Sequence, residues 1–260
     1  MSQGAFRRAV LIRVEQRRIE ARLEDDFHRF GLALAHDDHQ VTGTEGWADR
    51  YPWITCIEAP SALTALTALE GASLGAHPAA LFRHADARLQ CTHLFELAAL
   101  ALSQARHGPG ERLFEAEVTE PQDGAVTASL FRDGAPALEW LLLNGRITAP
   151  AAHAGQEASA FTTRRLTDLP PEEAEALLIL RRVVQTAQAR QMNVDAFATA
   201  AAMGRTPQCY SLQPDAAQRA ARVTGMVRDW GSRAELAESI VRPRSPEPAP
   251  AADRVPARPA

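Results

Sequence analysis

Lysine is absent from the 260-residue chain, so all 28 basic residues are arginines. That absence removes several chemistries together: Schiff bases, lysine-anchored pyridoxal phosphate, the phosphate-loop lysine and the kinase strand lysine. A basic excess is missing too. Acids number 32 and the net charge is −4, which argues against a broad phosphate-backbone interface. No apolar run approaches the ~20 residues of a membrane helix. Met1 to Arg18 has arginines but neither an uninterrupted apolar stretch nor a small-residue cleavage site, so no signal peptide is expected. Cysteine occurs three times. An odd, sparse count suits a reducing cytoplasm rather than a disulfide framework.

What remains is a globular composition, 46% hydrophobic and 23% charged. The length allows one large domain or two small ones. Residues 5–24 mix helix formers with an alternation of Ile19, Ala21 and Leu23 against Arg18, Glu20 and Arg22. Phe30, Leu32 and Leu34 then alternate, and His36-Asp37-Asp38-His39 reads as a turn before Val41. A three-strand meander over about 17–48 is expected. Leu63, Leu66 and Leu69 repeat at helical spacing, with Pro60-Ser61 suited to a helix start and Gly71 to its end. His93 to Arg106 reads as a second helix.

Gly108-Pro109-Gly110 breaks the pattern, and a boundary between two units is expected there. Strands follow at Leu113–Val118, Val126–Phe131 and Leu138–Leu143, with Leu141 and Leu143 expected to be buried against the first unit. Pro170-Pro171-Glu172-Glu173 opens a helix to about Met192 that should bury Leu177, Leu180 and Val184. From Arg242 to Ala260 the prolines prevent a core, and a disordered tail is expected. The fold class is α+β. Its expected units are 1–108 (an antiparallel meander followed by helices), 109–241 (antiparallel strands and a long helix packed on the first) and 242–260 (the tail).

Four groups of residues could carry chemistry. Gly71-Ala72-Ser73-Leu74-Gly75 fits a nucleophile elbow, which needs a strand before it and a helix after it. A helix is expected before it instead, so the glycines read as a helix stop. His36-Asp37-Asp38-His39 could bind a metal or simply be solvated at a hairpin tip. Asp25-Asp26-Phe27-His28 has the same status, with His28 facing inward beside Phe30. The more specific constellation is Cys56 with Glu58, and Cys91 with His93, since thiolate and imidazole are the usual ligands of zinc. Cys91-Thr92-His93 opens a helix, whose N-terminus favours a thiolate. The alternative is that buried cysteine acts as a small apolar residue. Cys209-Tyr210 has no ligand-spaced neighbour and could join such a site only through the fold.

At Cys91-Thr92-His93-Leu94 the chain resembles a bacterial family of undefined function. Members of that family carry a Cys-Thr-His-Leu segment about thirty to forty residues after an earlier cysteine. The later Cys-aromatic pair and Gly-x-x-Arg-Asp ending of that family correspond to Cys209-Tyr210 and Gly225 to Asp229. The first half also resembles the U-type iron–sulfur scaffold proteins, with Cys56 and Cys91 matching two scaffold cysteines. The scaffolds' earlier cysteine is absent, so His39, Glu58 or His93 would have to replace it.

The function expected from these readings is a small-molecule lyase or hydrolase of bacterial catabolism. Cys91, His93 and Glu58 would be catalytic, and Cys56, Cys91, His93 and His39 would be metal ligands. Zinc is the expected metal, ahead of iron or an iron–sulfur cluster. A non-enzymatic metal or iron–sulfur carrier and a metal-free ligand-binding module are the alternatives. A small-molecule substrate is the expected partner, with no nucleic acid and no membrane; a homodimer stays open.

Overall fold

The computed structural model describes residues 4–64, 69–204 and 207–243. The two alternating segments form β2 (Arg18–Asp25) and β3 (Arg29–His36), paired antiparallel with Leu23 opposite Phe30, Ala21 opposite Leu32 and Ile19 opposite Leu34. All six side chains are buried, as a period of two requires when one sheet face meets a core. β4 (Val41–Arg50) completes the expected meander.

Ahead of it lies a strand that alternation does not reveal, β1 (Ala5–Val14). Phe6, Val10 and Ile12 join the main core, while Ala9 and Leu11 pack under Leu236 and Ile240 on the opposite sheet face. A strand covered on both faces has no polar side to alternate with. Its arginines are the exception, and Arg8 is only 2% exposed.

The Gly108-Pro109-Gly110 break leads into β5 (Gly110–Thr119), which pairs with β1 along its whole length, Val10 opposite Phe114. β6 (Ala125–Arg132), β7 (Ala135–Leu143) and β8 (Arg146–Ala149) follow as hairpins. The sheet order is β4-β3-β2-β1-β5-β6-β7-β8, entirely antiparallel. Residues on both sides of the break therefore share one sheet and one apolar core.

The expectation for Leu141 and Leu143 is corrected. Both point outward, 44% and 47% exposed, while Trp140 and Leu142 are buried. The strand is where the sequence places it, but the bulky indole of Trp140 takes the inward phase, and a period of two then turns its odd-numbered neighbours out.

One face of the sheet is covered by α2 (Thr92–Gln104) against β1–β3 and by α4 (Pro171–Ala187) against β5–β7. α4 opens as its sequence predicts, with Pro171 in the first turn followed by Glu172 and Glu173. It buries Leu177 and Leu180, with Val183 rather than Val184 as the next fully covered residue. Shorter helices are α1 (Ala59–Thr64), α3 (Thr163–Leu166) and α5 (Pro214–Arg219). Leu66 lies outside the described residues, as do 244–260 of the tail. α6 (Arg233–Val241), capped by Ser232, brings Leu236 and Ile240 to the second face. No described helix is long and apolar enough to cross a membrane.

Candidate active site

A cavity of about 170 Å³ lies where the N-terminus of α2, the second half of α4 and the β2–β3 turn meet the 194–212 segment. Phe30, Trp53, Met203 and Leu212 give it apolar walls, and His28, Cys56, Cys91, His93 and Cys209 also face it. The fold thus gathers all three cysteines, which are far apart in sequence. Tyr210 donates its backbone N–H to the Gln90 carbonyl at 2.9 Å, which sets Cys209 beside Cys91 along the chain. Cys56 Sγ lies 3.3 Å from Ser211 Oγ.

The polar centre of the site is Asp25, the last residue of β2 and fully buried. Its Oδ1 accepts the backbone N–H groups of Phe27 (2.7 Å) and His28 (2.8 Å), which closes the β2–β3 turn. The same oxygen accepts from His28 Nδ1 at 3.0 Å. Its Oδ2 accepts from Arg8, with Nε at 2.9 Å and Nη2 closer still. Burial alone would raise the Asp25 pKa, but His28 and Arg8 override it and hold the carboxyl far below the usual carboxylate range. Asp25 is therefore held as a carboxylate at neutral pH.

Because a carboxylate only accepts, the proton between it and His28 belongs to Nδ1. His28 Nε2 then carries the lone pair, and it has no hydrogen-bond partner among the described residues. Burial lowers the His28 pKa more than Asp25 raises it, so the ring is neutral at pH 7. His93, the second residue of α2, accepts from Arg8 Nη2 through Nε2 at 3.1 Å. Burial, His28 and Arg8 all push its pKa well down. The two imidazoles lie 4.1 Å apart between ring centres, and Phe30 stacks on both. Arg8 also reaches Thr186 Oγ1 on α4 (3.2 Å), so one guanidinium ties β1 to β2, α2 and α4.

The thiols line the cavity, and burial disfavours their thiolate forms. Burial pushes Cys91 up to about 12, although the amides of Leu94 and His93 pull the other way. Cys56 and Cys209 are likewise raised by burial. Taking a thiolate out of water costs more here than a helix N-terminus returns.

Glu58 and His39 are not among the residues lining the cavity. Glu58 accepts from Tyr210 Oη at 2.7 Å and from both terminal nitrogens of Arg219. Arg219 and Tyr210 draw its pKa down to about 2, favouring the carboxylate form. His39 stands exposed on the β3–β4 hairpin, where the Asp37 carboxylate accepts the His39 and Gln40 amides. Ser73 is exposed, bridged to Gln40, with neither a strand before it nor a helix after it.

Cys56, Cys91, His93 and His39 therefore do not converge as ligands. Among the described residues, the three whose ligand atoms do converge are Asp25, His28 and His93, within 4.8 Å of one another. Arg8 already bonds two of these, and a buried guanidinium beside them disfavours a divalent cation. The donor set fits an internal ion-pair network better than a metal. Of its members, the sequence pointed to Asp25, His28 and His93 and missed Arg8. The available signal was the adjacent pair Arg7-Arg8 in a decapeptide whose only other polar residue is Arg13.

No family model matches the chain, and no curated protein matches it either.

Proposed function

We propose that the protein is an enzyme for a small organic molecule, with Asp25 and His28 as its proton-transfer dyad. The observation that carries this reading is the position of His28. A carboxylate fixes its Nδ1–H, and the opposite nitrogen is left unpartnered on a ring that faces an apolar cavity. A neutral imidazole held in one tautomer is equipped to take a proton from water or from a substrate carbon. Asp25 then stabilises the imidazolium, as in other His–carboxylate pairs. The reaction is accordingly a base-initiated hydrolysis or elimination, with the cysteines shaping the cavity. His93, kept neutral by burial with help from His28 and Arg8, adds no second positive charge beside the imidazolium.

The test is turnover of a panel of small esters, amides and hydroxy acids by wild type and His28→Gln. The dyad reading expects a substrate whose turnover falls by about 10²-fold or more in the variant, the usual worth of a general base. Equal turnover by both proteins would refute it. A second reading, metal-assisted chemistry at Asp25, His28 and His93, is favoured only by their convergence. One equivalent of zinc or iron in purified protein, lost in His93→Gln, would establish it instead.

A further inference from the structure

A second depression adjoins the cavity. It is an open groove of about 870 Å³, formed by residues 82–88, by Thr92 at the start of α2, by Arg181, Arg182 and Gln185 of α4, and by Gln188 just beyond it. Thr92, Arg182, Gln185 and Gln208 border both spaces, so the groove and the cavity adjoin along these residues. Its charge is unlike that of the protein as a whole. Arg83, Arg88, Arg181 and Arg182 line it, against Asp86 alone.

The pairing within the groove leaves charge over. Asp86 is taken by Arg88 at 2.8 Å. Arg181 (3.4 Å) and Arg182 (2.8 Å) share one carboxylate, Glu96, so these two guanidinium groups have a single counter-ion. Arg83 is exposed and pairs with no acid among the described residues. Arg181 Nε is buried without a hydrogen-bond partner. Four guanidinium groups thus face two carboxylates, an excess of two positive charges on a chain of net charge −4. His84, the only other titratable group lining the groove, is exposed and adds no negative charge.

Accepting the cavity as a substrate site, we propose that its substrate is a ring-sized apolar head carried on a phosphate-bearing tail, with the tail lying in this arginine groove. The cavity volume sets the head, since an apolar cavity of about 150 Å³ accommodates a benzene ring. The charge excess sets the tail. Guanidinium groups match phosphate oxygens in paired hydrogen bonds, and a dianion answers two uncompensated charges. The length and openness of the groove give the tail room that the cavity lacks.

Two probes test this, inorganic pyrophosphate and benzoyl-coenzyme A, each titrated into the full chain and followed by calorimetry and by the His28 ring resonances. Arg83→Glu is the variant, because an exposed, unpaired side chain can be reversed without disturbing the core. Pyrophosphate should bind wild type without moving the His28 signals, and should bind Arg83→Glu on the order of tenfold more weakly or worse. Benzoyl-coenzyme A should bind more tightly than pyrophosphate and should move the His28 signals. Equal affinity of pyrophosphate for both proteins, or no binding at millimolar concentration, overturns the proposal. So does benzoyl-coenzyme A that binds and leaves His28 unmoved. None of these readouts depends on turnover, so failure of the proton-transfer reading would remain distinguishable from failure of the groove.

Discussion

His28 Nδ1 and Asp25 Oδ1 lie 3.0 Å apart, three residues from each other in one turn, and the contact fixes which nitrogen of the imidazole carries the proton. The turn makes the contact local, and Arg8 makes it permanent by holding the other carboxylate oxygen. The proton transfer proposed for this site therefore rests on a strand residue distant from the turn in sequence.

Removing that strand residue should be expensive. Arg8→Leu leaves Asp25 buried without its cation, and breaking a buried pair in this way costs about 3–5 kcal/mol. Urea denaturation measures it. A loss well under 1 kcal/mol would mean that water or another cation already screens Asp25.

Asp26 and Asp25 should shape the pH dependence of stability in opposite directions. Burial, helped by the Asp25 charge and opposed by Arg190, pushes Asp26 up to about 7 from an ordinary 3.8. Between about pH 4 and 7 the folded state then holds a proton that the unfolded state has released. Stability should fall as pH rises through that window, by about 1 kcal/mol per pH unit at the steepest. Asp26→Asn should abolish this slope. Asp25, with its pKa lowered, contributes stability that is present above about pH 4 and lost on further acidification. Urea midpoints across pH 3–8 report both effects, and an unchanged slope in Asp26→Asn would contradict the assignment.

The three thiols should react slowly in the native state. With Cys91 raised to about 12, its thiolate fraction at pH 8 is a small part of that of a free thiol. Ellman's reagent should label the buried Cys56 and Cys91 only as fast as the protein unfolds, and the partly exposed Cys209 more slowly than a free thiol. Cys91→Ser should cost on the order of 1 kcal/mol, for placing a hydroxyl among apolar neighbours. Rapid labelling of Cys91 in folded protein would restore a reactive-thiol role.

The phase of β7 is tested by a pair of truncations. Leu142→Ala should destabilise by about 2–5 kcal/mol, as a buried leucine does, and Leu141→Ala by under 0.5. The reverse order would place the other face of the strand on the core.

Much of this architecture can be read in the sequence where one physical signal dominates. β2 alternates because Arg18, Glu20 and Arg22 face away from the main core, β3 because large Phe30, Leu32 and Leu34 alternate with small Gly31, Ala33 and Ala35, and α4 declares its start through Pro171 and two glutamates. β1 resists such reading because both of its faces are covered, so it has no period. The cysteine reading is a mixed case. Cys56, Cys91 and Cys209 do share one cavity, yet sequence spacing carries no information on the desolvation that keeps them protonated. Asp25 and His28 were visible as a polar cluster. Their coupling depends on Arg8, and a buried arginine in a strand looks, in sequence, like any other charge.

Proton transfer by His28 requires an unprotonated Nε2 on this ring at neutral pH. A long-range ¹H–¹⁵N spectrum of the imidazoles, assigned with His28→Gln, measures this directly. The account predicts a neutral His28 with its proton on Nδ1, and loss of that fixed tautomer in Asp25→Asn. A proton on Nε2, or a fully charged ring at pH 7, would contradict it.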